Sequence, residues 1–267
     1  MAFFGNCGFR MHYEIHPGLV PSPTIFLHGN LASNNWWKPS LEVWKNNAKD
    51  KGHKGALIFA EWRGCGKSTG PEAAKDLQLE VLANDYVKLL ERLEIKEVNL
   101  VGHSTGGLIG LFAIIQNQKL FQRAVLLDSV AATGIQFGPE MYEAFTRMSE
   151  DRALCSAVMG GTINSSKMDP ALMETIIDDA FNVHPLIWHG IPNMLKGVDY
   201  RDRVKTITTP TLVLHGELDT LLPIDGSKEL ASLLPNGRFH EIPKQGHSCN
   251  MENPELFVNL CNEFLFG

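Results

Sequence analysis

Short β-rich runs separated by stretches of helical periodicity constrain this chain more than any other feature. The runs are 24–27, 56–59, 98–101, 124–127, 211–214 and 238–242. Several are apolar at consecutive positions, as expected of strands covered on both faces. Between them, Leu82, Tyr86, Leu89, Leu90 and Leu93 recur at helical spacing and predict an amphipathic helix over 76–94. Leu108, Leu111, Phe112 and Ile115 repeat the rule, and Asn253 followed by Pro254 reads as the cap and first turn of a last helix carrying Leu256, Leu260 and Phe264. Strand and helix in alternation mean a mostly parallel α/β sheet.

One region breaks the alternation. From 131 to 200 there is no clear strand, only helical stretches such as 140–150 and 170–181. Six of the nine methionines lie there (Met141, Met148, Met159, Met168, Met173 and Met194), with Phe137, Phe145, Phe181 and Trp188. Such side chains make an adaptable apolar surface, most of it packed on the sheet and a subset free to face a cleft. With 267 residues in all, the expectation is one domain with an insertion: an α/β core from 1–130 and 201–267 and a helical cap from 131–200.

Composition narrows the partners. Twenty-four basic against 30 acidic residues leave −6, with no basic block to neutralise a phosphate backbone, so nucleic acid is not expected. The longest nearly apolar stretch, 108–115, is far shorter than the roughly 20 residues of a membrane-spanning helix, so no membrane association is expected. The first residues lack an export signal, and five scattered cysteines without Cys-x-x-Cys fit reduced thiols, so a cytoplasmic setting is expected. Asn164-Ser165-Ser166 matches a glycosylation acceptor that such a setting would leave unused. Gly66-Lys67-Ser68 resembles the end of a phosphate loop, but position 61, where its first glycine belongs, is Glu61. Neither G-x-G-x-x-G at a strand-helix junction nor His-Glu-x-x-His occurs, so no cofactor and no metal are expected. Oligomeric state leaves no trace in the sequence.

Two segments match G-x-S-x-G: Gly102-His103-Ser104-Thr105-Gly106 and Gly66-Lys67-Ser68-Thr69-Gly70. Their flanks differ. Ser104 follows the apolar run 98–101 and precedes Gly107-Leu108-Ile109-Gly110, a strand, a sharp turn and a buried helix. A serine there projects its hydroxyl from a strained backbone, and the flanking glycines remove side chains that would collide with neighbouring main chain. Ser68 comes several residues after its strand and is followed by Gly70-Pro71, so it reads as a surface turn.

A serine nucleophile needs an adjacent base. Of ten histidines, His247 stands in Gln245-Gly246-His247-Ser248, between the last strand-like run and the C-terminal helix, where α/β sheets place functional loops. His240 lies within that run, His12, His16 and His53 in surface-like segments, and His184 and His189 in the insertion; His103 should point away from the elbow. The carboxylate that would orient the imidazole is Asp219, with Asp128, directly after 124–127, as its rival. Backbone N–H groups of Thr105 and Asn30 are the candidate oxyanion donors. Leu31, Trp36, Trp37 and His103 are candidates for the substrate wall, although either tryptophan could equally be core.

His28-Gly29-Asn30, Arg63-Gly64-Cys65-Gly66-Lys67-Ser68, Gly102-His103-Ser104-Thr105-Gly106-Gly107, the segment from Pro210 to Asp219, and Gly246-His247 together resemble the α/β-hydrolase superfamily. The resemblance implies an eight-stranded sheet with flanking helices, a helical cap after the sixth strand and a triad of Ser104, His247 and Asp219. The family usually has Asp where Glu61 stands, a departure at a turn near the cleft. Relatives that attack with a carboxylate at the elbow are excluded, because Ser104 occupies it. The implied activity is hydrolysis of a small-molecule ester or lactone through an acyl-enzyme. Carbon–carbon bond hydrolysis, cofactor-free perhydrolysis and a ligand sensor with little turnover remain open beside it.

Overall fold

The computed structural model describes residues 2–6, 8–49, 51–163 and 168–267. Its strands are β1 (Ala2–Asn6), β2 (Phe9–Val20), β3 (Thr24–Leu27), β4 (Gly55–Ala60), β5 (Val98–His103), β6 (Phe121–Leu127), β7 (Thr211–Gly216) and β8 (Gly237–Ile242). They form one sheet in the order β1-β2-β4-β3-β5-β6-β7-β8, antiparallel at β1 and β2 and parallel from there on. The six anticipated runs are the six parallel strands. In β2, by contrast, Arg10, His12, Glu14 and His16 alternate with apolar residues, and Pro17-Gly18 reads as a break. The strand continues past it with a register shift between Pro17 and Val20. Since β1 pairs only with Phe9 to Tyr13, Pro17 sits where one side of β2 is open and costs no ladder bond.

Alternation within the strands divides the core. Ile25 and Leu27 of β3 join one apolar cluster and Phe26 the other; Leu126 and Val125 of β6 divide the same way. On the first side lie α2 (Leu79–Arg92) and α3 (Thr105–Gln116). On the second lie α1 (Lys38–Asn47) and the C-terminal helix Pro254–Phe266, where Asn253 accepts the Leu256 amide as the anticipated cap. The helix expected over 76–94 is divided at Gln78, whose ψ of 145° ends a 3-10 turn (Ala74–Leu77) before α2 begins.

Between β6 and β7 stand α4 (Pro139–Glu150), α5 (Arg152–Gly161), α6 (Pro170–Phe181), α7 (Pro185–Leu195) and the short α8 (Arg201–Val204). Asp151 and Asp169 cap α5 and α6 through their own carboxylates. Met148, Met159 and Met194 are buried in this insertion, whereas Met141 is 38% exposed. The remaining helices are α9 (Ile224–Leu233), α10 (Cys249–Glu252) and α11, the C-terminal one. Among the described residues no helix is long and apolar enough to cross a membrane. Cys65, Cys155, Cys249 and Cys261 are free and buried. Cys7 and the Asn164-Ser165-Ser166 acceptor lie outside the described residues.

Candidate active site

The elbow is built by steric exclusion. Ser104 joins β5 to α3 at φ 53° and ψ −124°, a region L-residues rarely adopt. Such a backbone costs on the order of 1–3 kcal/mol. Its surroundings hold it: the Ser104 N–H donates to Leu127 O at 3.0 Å, and its carbonyl accepts from Gly107 N (3.0 Å) and Val130 N (3.2 Å). A Cβ on Gly106 would overlap the His28 and Leu27 carbonyls, and one on Gly102 the Gly106–Gly107 backbone. Only glycine fits on either side of this serine.

Ser68 is not the surface hydroxyl expected. It is buried, donating to Glu61 O (2.6 Å) and accepting from His12 N (2.9 Å). Glu61 is buried beside it, where its carboxylate accepts from Asn34 N (3.2 Å) and Lys67 N (2.7 Å) and meets His12 Nδ1 at 2.9 Å. The residue that departs from the family pattern therefore pins three segments together, and His12, anticipated near the surface, is fully buried against it.

His247, in the loop after β8, lies 2.7 Å through Nδ1 from Asp219 Oδ2. The other Asp219 oxygen accepts from Leu221 N (2.7 Å) and Leu222 N (3.2 Å). Burial pushes the Asp219 carboxyl up, but the His247 hydrogen bond and charge, with the two amides, hold it below the usual carboxylate range. The rival, Asp128, makes no hydrogen bond to His247 and accepts instead from Gly216 N (2.8 Å). Asp128, Asp219 and His247 each place a donor atom within 4.8 Å of the others. Those types suit a cation, yet Asp219 and His247 are already spent on one another and on backbone amides.

Ser104, His247, Asn30 and Thr105 line one cavity of about 450 Å³. No hydrogen bond joins Ser104 Oγ to His247 among the described residues, and contacts of this kind commonly tighten only around substrate. The cavity is otherwise mainly apolar, walled by Leu31, Trp36, Phe137, Met141, Phe145, Met148, Met159 and Leu221 among others. Trp37 does not line it. Successive side chains of a 3-10 turn diverge by about 120°, so Trp36 stacks on His103 (5.7 Å between ring centres) while Trp37 packs against Phe26 (5.1 Å) and Phe257 (6.2 Å) in the core. Leu31, beside Asn30, has φ 53°, a second left-handed residue at the cavity.

His103 lines the cavity too, with a role that sequence reading missed. Its ring lies 4.9 Å from that of His247, and its Nε2 donates to the His247 carbonyl at 2.9 Å, fixing the loop that carries the imidazole. Burial, then the neighbouring His247, push its pKa down to about 3, so it is neutral. The cavity wall from the β6–β7 insertion was also missed residue by residue, although the methionine excess marked the region.

Known proteins share this arrangement of strands. Residues 23–254 match the family described as the alpha/beta hydrolase fold. RutD of Agrobacterium fabrum, provisionally named a carbamate hydrolase, is 25% identical over 266 residues, covering 96% of this chain and 98% of that protein. The enol-lactonase of Burkholderia xenovorans superposes with a TM-score of 0.83 at 21% identity, covering all of both chains. An esterase from Exiguobacterium antarcticum does so with 0.84 at 20% identity, covering 97% of each. With the family match spanning most of its length, the chain belongs to the alpha/beta hydrolase fold family.

Proposed function

We propose that this protein is a serine hydrolase that cleaves a small to medium apolar ester or lactone through an acyl-enzyme on Ser104. The observation that carries the reading is the meeting, in one apolar cavity, of an elbow serine and an imidazole whose far nitrogen is held by a carboxylate. Hydrogen bonding of Nδ1 to Asp219 leaves Nε2 of His247 as the base. Ser104 Oγ attacks the acyl carbon as its proton passes to Nε2, the bond to the leaving oxygen breaks, and that oxygen takes the proton. Water repeats the sequence, returning the hydroxyl to Ser104 and releasing the acid. The backbone N–H groups of Thr105, first in α3, and of Asn30 hold the oxyanion, and the dipole of α3 favours negative charge there.

In this reading residues 1–130 and 201–267 form the hydrolase core and 131–200 a helical cap that supplies the acyl wall. Leu31, Trp36 and His103 complete that wall. The name of the Agrobacterium relative makes carbamates the second class to assay. The largely aliphatic and aromatic lining favours an ester or lactone acyl group, which loses less on leaving water than a carbamate's amide.

Fluorophosphonate labelling tests the nucleophile. Wild type and Ser68→Ala label, and Ser104→Ala does not. A parallel panel of p-nitrophenyl acetate, p-nitrophenyl butyrate, simple lactones and an alkyl carbamate ranks the substrate classes. Labelling that survives Ser104→Ala refutes the assignment.

A further inference from the structure

Asp128 follows β6 directly, with a φ of 44°, and is wholly buried. Its Oδ1 accepts from the Gly216 amide, while its Oδ2 has no hydrogen-bond donor among the described residues. The titratable groups around it come from four elements. His215 on β7 lies 3.5 Å away through Nδ1, but that nitrogen is hydrogen-bonded to Ser227 Oγ at 2.9 Å, and burial pushes its pKa down. Asp219 follows β7, His247 follows β8, and Cys249 and Glu252 sit on α10. The other carboxyls are negative neighbours, and among the described residues no lysine or arginine pairs with Asp128.

An ionised carboxylate there would leave one oxygen without a donor and set two negative charges side by side out of water, each a costly arrangement. A proton on Oδ2 removes both costs. Asp219 accepts from His247 and from two amides, so Asp219 is the member of the pair that keeps the charge.

We propose that Asp128 is a neutral carboxylic acid donating a hydrogen bond to Asp219, so that a pair of carboxyls sharing one proton orients His247. The proposal rests on the reading of Ser104, His247 and Asp219 as a triad. Burial first, then the Asp219 charge, push the Asp128 carboxyl well up, in agreement with the geometry. Asp128 is a positioning residue: it touches no reacting atom, but it fixes the Asp219 carboxylate facing His247 and keeps a second negative charge away from the imidazole.

Carbon-13 NMR of wild-type protein labelled at the aspartate carboxyls reads the protonation directly at pH 7. One resonance at the protonated position, missing in Asp128→Asn, is expected; a wild-type spectrum with every aspartate ionised overturns the proposal. This arm needs no turnover, so its result is independent of the Ser104 labelling. In the kinetic arm, kcat/KM for p-nitrophenyl butyrate falls about tenfold in Asp128→Ala, the scale of one lost hydrogen bond to a charged group. Asp128→Asn recovers to within about threefold with the acid limb of its pH profile unmoved, because an amide N–H donates as the acid O–H does. Equal losses in the two variants, or an acid limb shifted in Asp128→Asn, overturn the positioning role. Should neither variant fold, the wild-type spectrum alone decides.

Discussion

The chain contains the pattern Gly-x-Ser-x-Gly twice, and the two copies fold into opposite things. At Ser104 the serine occupies a left-handed backbone between a strand and a helix and lines the cavity it shares with His247. At Ser68 the hydroxyl is used up by the Glu61 carbonyl and the His12 amide, and the residue is a buried rivet between β2 and the loop after β4. The glycines differ in meaning as well. Gly102 and Gly106 are small because main chain presses on both, whereas Gly66 has a φ of 53° and lies against the Glu61 carboxylate. A motif is thus a statement about available conformations. What converts it to chemistry is whether the hydroxyl is left unspent beside a base.

The widest separation between the two serines is expected in activity. Ser104→Ala lowers kcat/KM on an accepted ester by about 10⁴-fold or more, the scale of losing a nucleophile, while Ser68→Ala stays within about threefold. Comparable losses in both would break the distinction. Asp219→Asn comes next. It leaves the shape of the site but favours the wrong imidazole tautomer, and a loss of about 10³- to 10⁴-fold in kcat is expected from steady-state assays. Stability reverses the order of the serines. Ser68→Ala leaves the buried His12 N–H without its acceptor and is expected to cost about 1–3 kcal/mol in urea unfolding, against little for Ser104→Ala, whose hydroxyl has no hydrogen-bond partner among the described residues.

How much of this was legible depended on whether the signal was local. The inner parallel strands stand out because burial on both faces writes consecutive apolar residues, whereas β8, at the sheet edge, reads only as Phe239 and Ile242 among polar neighbours; the Ser104 elbow stands out because its glycines flank it in sequence. Strand β2 escaped, since it alternates like a half-covered strand and carries Pro17 where only one neighbour pairs with it. Trp36 and Trp37 are inseparable in sequence, and only the 3-10 turn sends them to opposite sides. Ser68 reads wrongly as a surface turn because its partners, His12 and Glu61, are brought to it by tertiary folding across 56 and seven residues. The same holds for His103 and the His247 carbonyl, 144 residues apart. Long-range hydrogen bonds leave no period in a sequence.

The smallest effect tests the electrostatics behind each serine. The elbow is backed by two buried neutral histidines: burial pushes His28 down to about 4, and burial with the nearby His247 pushes His103 down to about 3. Ser68 is backed instead by Glu61, whose carboxyl burial raises but whose hydrogen bonds to His12 and the Lys67 amide bring below its ordinary value. The signs give different windows. An unfolded histidine takes up a proton below about 6.5 while the folded one refuses it until near 4 or 3, so stability is complete above that range and drains away as pH falls through it. Glu61 favours the folded state above the ordinary glutamate pKa, and its contribution fades only on further acidification through the lowered folded value. Urea unfolding at pH 6 against pH 7.5 therefore reports the buried histidines whose pKa is pushed down, His28 and His103 at the elbow and His215 on β7, and not Glu61, with an expected loss of roughly 0.5–1 kcal/mol for each elbow histidine. His103→Gln should flatten its share of that slope while Glu61→Gln leaves it unchanged. A slope that survives His103→Gln and disappears in Glu61→Gln would mean that the charge sits behind the other serine.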